Sequence, residues 1–478
     1  MKRRRETEDL MGKLFQETGS FRDPAGNVFV ADNRVFRSIN EVARAGYEEI
    51  RGKGILSKVI QQGYLIGFEE LSKSDWPIDT LGAAYVVEHP RIPYISYPYE
   101  WSFSQLKAAA LHHLDFQLAL LESDVVLSDA TAYNIQFIGC KPVFIDFLSL
   151  RPYRKGEFWL GHRQFCEQFL NPLLLRAFNG IYHNAWFRGS LEGIRTIDLA
   201  RLVPTSKKFS WNVVSQVILQ AKLDSKVINT PDKLIKKAKS HGQLSKNAYY
   251  GFLSQMRKWI SKLVPADGGK TAWRDYAHTH TYTSKEAALK RQFVKDFIAA
   301  TKPKTLIDMG CNTGDYSVVA LESGAEYVVG FDFDQQAIDL AFSRAIDQQL
   351  PFLPLFLDAA NPSPNQGWMQ AEREGFAGRT KADALVALAF EHHLAIARNI
   401  PLQQVIQWLV NIAPHGVIEF VPKSDSTIQR MLSLREDIFY DYSVETFEIH
   451  LKSLSTIIKK QFVSESGRCL FWYERKKV

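Results

Sequence analysis

From about residue 271 onward, short apolar runs alternate with stretches whose apolar positions recur every three or four residues. The runs fall at 305–309 (TLIDM), 327–333 (YVVGFDF), 352–358 (FLPLFLD), 383–390 (DALVALAF) and 415–422 (HGVIEFVP). Near-continuous apolar runs fit strands buried on both faces of a parallel sheet, and helix-period stretches such as 335–349 and 402–412 fit the crossovers between them. After a helical stretch at 443–454 come two further runs, 456–463 and 468–475, joined by Ser464-Glu465-Ser466-Gly467. That connection is short enough for a hairpin, so the last pair is expected to be antiparallel. The pattern predicts an α/β fold, a Rossmann-like doubly wound sheet of seven strands.

Upstream the pattern is mixed. Residues 1–205 combine short apolar runs with helical stretches and read as an α+β domain. Residues 206–270 read as helical and Lys-rich, ending in the breaker cluster Pro265-Ala266-Asp267-Gly268-Gly269. Three segments are therefore expected: 1–205, a helical segment and linker at 206–270, and the α/β domain at 271–478.

Charge sharpens the picture of the middle segment. The chain has 478 residues and a net charge of +7, yet 206–270 alone holds thirteen Lys/Arg against three Asp, or +10, leaving −3 for the rest. The basic balance is thus local, and few aromatics interleave with Lys233, Lys236, Lys237 and Lys239; a solvated helical face explains them, and no nucleic-acid partner is expected. No run of eighteen uncharged apolar residues exists, so no transmembrane helix or membrane partner is expected. Met1-Lys2-Arg3-Arg4-Arg5 passes straight into Glu6-Thr7-Glu8-Asp9 without an apolar stretch, unlike a secretory signal. Cys140, Cys166, Cys311 and Cys469 stand apart, with no C-x-x-C pair and no His cluster beside them, so no metal site is expected. The expected compartment is the cytoplasm.

The first strand of the α/β domain runs into Asp308-Met309-Gly310-Cys311-Asn312-Thr313-Gly314. Glycines at a strand-to-helix turn let the backbone approach a ligand, and the helix beyond offers free N–H groups. Asp332 ends the second strand about 20 residues on, where a carboxylate can take ribose hydroxyls, and Asp358 ends the third. Asp334 and Asp358 could each instead be a helix or loop cap.

These residues resemble the S-adenosylmethionine-binding core of class I methyltransferases: Asp308-x-Gly310-x-x-x-Gly314 followed by the strand-end acid Asp332. The loop lacks the G-x-G-x-x-G of dinucleotide-binding domains, and Asn312 stands where many relatives carry glycine. The resemblance covers about 200 residues including the final hairpin. It implies that Gly310 and Gly314 meet the methionine end of the cofactor, Asp332 the ribose and Asp358 the adenine amino group. Upstream, Trp273-x-Asp275-Tyr276 and Tyr282-Thr283-Ser284 look like a segment that covers the cofactor in some relatives.

The fourth strand ends in Phe390-Glu391-His392-His393-Leu394, a position that faces substrate in this family. Imidazole titrates near neutrality and can take a proton from an acceptor as it attacks the activated methyl group, so His392 and His393 are the catalytic candidates. The strand lacks the Asn/Asp-Pro-Pro-aromatic motif of nucleobase amino methyltransferases. The fifth strand runs through Glu419 toward Lys423; the two could address a polar substrate, but the simpler reading is ordinary rim charges. From there to Tyr442 the string, taken with His392-His393, resembles a bacterial group related to a rhizobial nodulation protein.

A second resemblance lies in residues 129–147. Asp129-x-x-x-x-Asn134 followed by Asp146 at a strand end looks like the catalytic loop and metal-binding acid of protein-kinase-like folds. It implies a base at Asp129 and a Mg-ATP site at Asn134 and Asp146, with 91–100 as strand and hinge and a helix over 103–121. The match is degenerate: Leu148 stands in place of glycine after Asp146-Phe147, no glycine-rich loop precedes it, and neither Arg34 nor Arg37 is equivalent to a phosphate-gripping lysine.

The sequence thus predicts a methyltransferase using S-adenosylmethionine, acting by O- or N-methylation on a small-molecule or carbohydrate-type acceptor, with the N-terminal region selecting or positioning substrate. Two alternatives stand beside it: a bifunctional methyltransferase and ATP-dependent phosphotransferase, and a non-catalytic binding protein.

Overall fold

The computed structural model describes residues 15–77, 82–223, 244–267, 284–433 and 435–476. In the C-terminal part the apolar runs become β10 (Thr305–Met309), β11 (Tyr327–Asp332), β12 (Phe352–Phe356), β13 (Ala384–Ala387), β14 (His415–Phe420), β15 (Ser455–Phe462) and β16 (Cys469–Arg475). Their order in the sheet is β12-β11-β10-β13-β14-β16-β15. The first five are parallel and β16 runs antiparallel to both its neighbours. Strand order reverses between β10 and β13, which opens a crevice at their carboxyl ends, the usual ligand position in such sheets.

The crossover helices follow from their sequences. Leu402–Ile412 turns Leu402, Val405, Ile406 and Leu409 onto one buried face, each worth about 1.5–3 kcal/mol on removal from water. Gln335–Asp347 starts where the Asp334 carboxylate accepts the amides of Gln336 and Ala337, so Asp334 is a helix cap, one of the two roles open to it from sequence.

The N-terminal part holds a five-stranded antiparallel sheet of β1 (Phe15–Gln16), β2 (Val28–Ala31), β3 (Arg34–Asn40), β4 (Glu69–Glu70) and β5 (Ala83–His89), in the order β1-β2-β3-β5-β4. Two antiparallel pairs follow, β6 (Val125–Leu127) with β9 (Leu150–Pro152) and β7 (Ile135–Ile138) with β8 (Lys141–Phe144). The strand expected within 91–100 lies earlier, at β5. Pro93 and Pro98 cannot donate to a ladder, and the chain there runs irregularly into a 3₁₀ turn, Pro98–Glu100. Phe103–Glu122 is a long helix with a capping box, the Ser102 hydroxyl accepting the Gln105 amide. The Lys-rich segment contributes the helix Lys246–Ser261, which buries Tyr249, Leu253, Met256 and Ile260 and lies on Phe103–Glu122 through a Gln117–Tyr249 hydrogen bond of 3.0 Å. Lys233, Lys236, Lys237 and Lys239 lie outside the described residues.

One apolar cluster runs through both parts. Phe137 meets Phe342 edge-on at 5.9 Å, Gln105 donates to the Pro354 carbonyl at 2.9 Å, and the Ser104 amide donates to Asp339 at 2.9 Å. The N-terminal part is therefore built onto the sheet that carries the site. No helix among the described residues is long and apolar enough to cross a membrane.

Candidate functional site

A cavity of about 460 Å³ opens at the carboxyl ends of the parallel strands, lined among others by Asp308, Gly310, Asn312, Asp332, Asp358, His392 and His393. Chain connectivity alone brings the acids there, because each stands at or just beyond the end of β10, β11 or β12. The loop after β10 needs its glycines. Gly310 has φ +80° and Gly314 φ +83°, a region that disfavours side chains. A Cβ on Gly310 would sit 3.0 Å from the Phe390 ring, and one on Gly314 2.6 Å from Phe352. Asn312, also left-handed at φ +48°, accepts the Thr313 amide through its own side chain at 2.8 Å.

Asp332 holds this loop. Its Oδ2 accepts the Asn312 amide and its Oδ1 the Asp334 amide, both at 2.8 Å. Burial pushes its pKa up to about 6 against the pull of these bonds. A carboxylate has about four lone-pair sites, so these bonds do not exhaust it for a ligand hydroxyl. Asp358 accepts the Ala360 amide at 3.1 Å and lies 3.9 Å from Arg398. Asp308 is buried behind the loop, accepts the Ser317 hydroxyl at 2.6 Å, and is pushed up to about 7 by burial. Glycine backbone, paired acids and an adjoining apolar wall of Phe331, Phe333 and Leu357 fit an adenosine-type ligand carrying a cationic sulfonium. Tyr282, with Trp273, Asp275 and Tyr276, lies outside the described residues.

The two histidines share this cavity but differ in surroundings. His392 is 1% exposed with its Nδ1 3.1 Å from Glu391 Oε2. The His393 ring lies 4.3 Å from it, and burial, with the His392 ring adding, lowers the His393 pKa to about 3. Sequence reading missed Glu391, because an acid at a helix start looks like any cap.

It also misjudged Glu419. Expected as a rim charge, Glu419 is fully buried; Lys290 Nζ lies 2.6 Å from its Oε1 and 2.8 Å from its Oε2. Its Oε2 also accepts the Ala389 amide at 2.9 Å, which fixes the bend that follows β13. Lys290 is pushed down to about 8 by burial. Arg468 lies 3.5 Å from Glu419 and holds Asp425 at 2.6 Å. The signal for this cluster was present only as an apolar strand, GVIEF, with one acid inside it. Lys423 is the surface charge it was expected to be, paired with Asp437 at 2.8 Å.

The structure also gathers Asp129, Asn134 and Asp146. Asn134 Nδ2 donates to Asp129 Oδ2 at 3.2 Å and to Asp146 Oδ2 at 3.4 Å. Burial and the Asp146 charge push Asp129 up to about 7. Arg37 reaches Asp146 at 2.5 Å, whereas Arg34 pairs with Glu88 across the sheet. None of this group lines the cavity at the strand ends.

The strand order with its reversed penultimate position, and the glycine loop with strand-end acids, define a methyltransferase-like α/β fold. No family model matches the chain. It is 47% identical over 458 residues to the nodulation protein NoeA of Rhizobium meliloti (strain 1021), covering 96% of this chain and 95% of that one. The chain belongs to the NoeA family. It is also 48% identical over 108 residues to the ribosomal protein L11 methyltransferase of Tolumonas auensis, covering 19% of this chain and 36% of that one. Among solved structures it is similar to the N-methyltransferase NodS of Bradyrhizobium japonicum WM9 in complex with S-adenosyl-L-homocysteine, with 13% identity, a TM-score of 0.29, and 45% and 92% of the two chains covered.

Proposed function

We propose that this chain is an S-adenosylmethionine-dependent methyltransferase that methylates an oxygen or nitrogen of a small-molecule or carbohydrate-type acceptor. The observation that carries the reading is the convergence on one cavity of the Gly310–Thr313 turn, Asp332, Asp358 and the His392-His393 pair. The partial likeness to a ribosomal protein L11 methyltransferase supports the reaction class. Gly310, Asn312 and Gly314 would meet the methionine end, Asp332 the ribose and Asp358 the adenine, with Asp308 behind the loop. When bound, the cofactor supplies a methyl group on a positively charged sulfur. The chain's own part is to align the acceptor in line with that methyl and to remove its proton at His392 or His393.

The N-terminal part is read as a kinase-like domain that positions or selects the acceptor. Its antiparallel sheet, the Phe103–Glu122 helix and the meeting of Asp129, Asn134 and Asp146 support that resemblance. The Arg37 guanidinium at Asp146 puts a fixed cation where magnesium would be expected, and this favours a substrate-selecting role over phosphoryl transfer from Mg-ATP. A cytoplasmic location is part of the same proposal.

The test uses S-adenosylmethionine labelled in its methyl group, with a cytoplasmic extract of the source cells as acceptor and Asp332→Ala as blank. Label in the small-molecule or glycan fraction supports the reading. Label in protein or nucleic acid overturns the acceptor class, and no cofactor binding by the wild-type chain in calorimetry overturns the reaction.

A further inference from the structure

Glu391 is a fully buried acid, and no Lys or Arg among the described residues pairs with it. It stands at the first turn after β13, one residue before His392, and both its oxygens are engaged. Oε1 accepts the Val421 amide at 3.0 Å and meets the Tyr442 hydroxyl at 2.6 Å. The same hydroxyl lies 2.7 Å from the Val421 carbonyl. Oε2 accepts the His392 amide at 2.6 Å and faces His392 Nδ1 at 3.1 Å. Three segments far apart in the chain, the ends of β13 and β14 and the turn before the helix Val444–Leu454, thus clamp one carboxylate. Burying a carboxylate costs several kcal/mol unless its partners are well placed. A helix cap could have been made at the surface without that cost.

The clamp has a chemical consequence. A carboxylate only accepts hydrogen bonds, so the ring nitrogen facing it must carry the hydrogen. With Nδ1 protonated, the lone pair of the neutral ring is on Nε2. Among the described residues nothing else bonds to that ring, and His392 lines the cavity. The His393 ring stands beside it at 4.3 Å.

Resting on the methyltransferase reading, we propose that Glu391, held by Tyr442 and Val421, is a positioning residue that fixes His392 in the Nδ1–H tautomer and makes its Nε2 the proton acceptor. In the step it serves, the acceptor's O–H or N–H bond breaks and its electron pair forms the new bond to the methyl carbon. The carbon–sulfur bond breaks with its pair going to sulfur, and the proton goes to His392 Nε2. The imidazolium formed there sits against the Glu391 carboxylate, which stabilises it.

The experiment reads the tautomer without any acceptor. The full chain is labelled with nitrogen-15 in its histidine rings, and His392→Gln identifies the signals of that ring. The expected spectrum of the wild type shows a protonated Nδ1 and an unprotonated Nε2 at His392. A protonated Nε2 with a bare Nδ1 overturns the proposal, and this measurement decides it even if every Glu391 variant fails to fold. Where Glu391→Gln folds, the two tautomers should mix, because an amide can either accept or donate. Its kcat on the acceptor found with labelled cofactor should fall about 100-fold, with KM within about two-fold. An unchanged tautomer together with an unchanged kcat would also overturn it. Calorimetry with S-adenosylmethionine separates the two levels: a wild type that does not bind the cofactor fails the functional reading, whereas binding with the wrong tautomer fails only the role of Glu391.

Discussion

Arg379 and Glu100 form an ion pair across the seam between the N-terminal part and the C-terminal sheet, with side chains only 5% and 4% exposed. Around it, Arg379 also donates to the Ile95 carbonyl at 2.6 Å and the Tyr94 hydroxyl at 3.0 Å, and Glu100 accepts the Ser363 hydroxyl at 3.0 Å. The guanidinium lies 4.6 Å from the Tyr97 ring centre. Two charges that each part would have to expose alone are thus satisfied only when the parts are joined.

Arg379→Ala should leave Glu100 buried without its cation, a loss of about 3–5 kcal/mol. Urea denaturation measures it. A loss under about 1 kcal/mol would show that the seam does not depend on the pair.

Asp308 should make stability fall as pH rises. Its unfolded carboxyl ionises near its ordinary value of 3.8, whereas burial holds the folded one near 7. Between those values the native state binds more protons than the unfolded state, so raising the pH favours unfolding, by up to ~4 kcal/mol over the full window. Asp308→Asn keeps a partner for Ser317 and removes the ionisation. Its urea midpoint should be flatter with pH than the wild type's, and parallel profiles would refute the assignment.

Gly314→Ala should weaken both the fold and the site. The residue has φ +83°, and its new Cβ would meet Phe352 at 2.6 Å, a combination costing about 1–3 kcal/mol. We expect a lower melting temperature and at least about ten-fold weaker S-adenosylmethionine binding by calorimetry. Gly324→Ala is the control. Its φ is +110° but nothing lies within 4 Å of the added carbon, so it should lose stability and keep its affinity.

Mg-ATP should not raise the melting temperature. Arg37 already neutralises Asp146, and a divalent cation there would have to displace or face a guanidinium. A saturable rise of several degrees in a magnesium-ATP series would restore the phosphotransfer alternative.

The strands of the C-terminal sheet were legible because a parallel strand buried on both faces must be apolar throughout, and five such runs recur in chain order. The observed β13 is shorter than its run, Ala384–Ala387 within 383–390, since Ala389 turns to φ +48° where Glu419 takes its amide. Gly310, Asp332 and Asp358 reach the cavity for a related reason: each ends a strand or stands within two residues of its end, so the sheet that orders the strands also gathers their ends. The clamp on Glu391, the burial of Glu419 with Lys290 and the Arg379–Glu100 seam were not legible. These partners lie 51, 129 and 279 residues apart, and a pair that distant leaves no period in the sequence. Local pattern determined which segments become strands and which loops reach the crevice. Only the packing of the sheet against its helices and the N-terminal part decided which charges lose water, and a buried charge is defined by the partner that replaces that water.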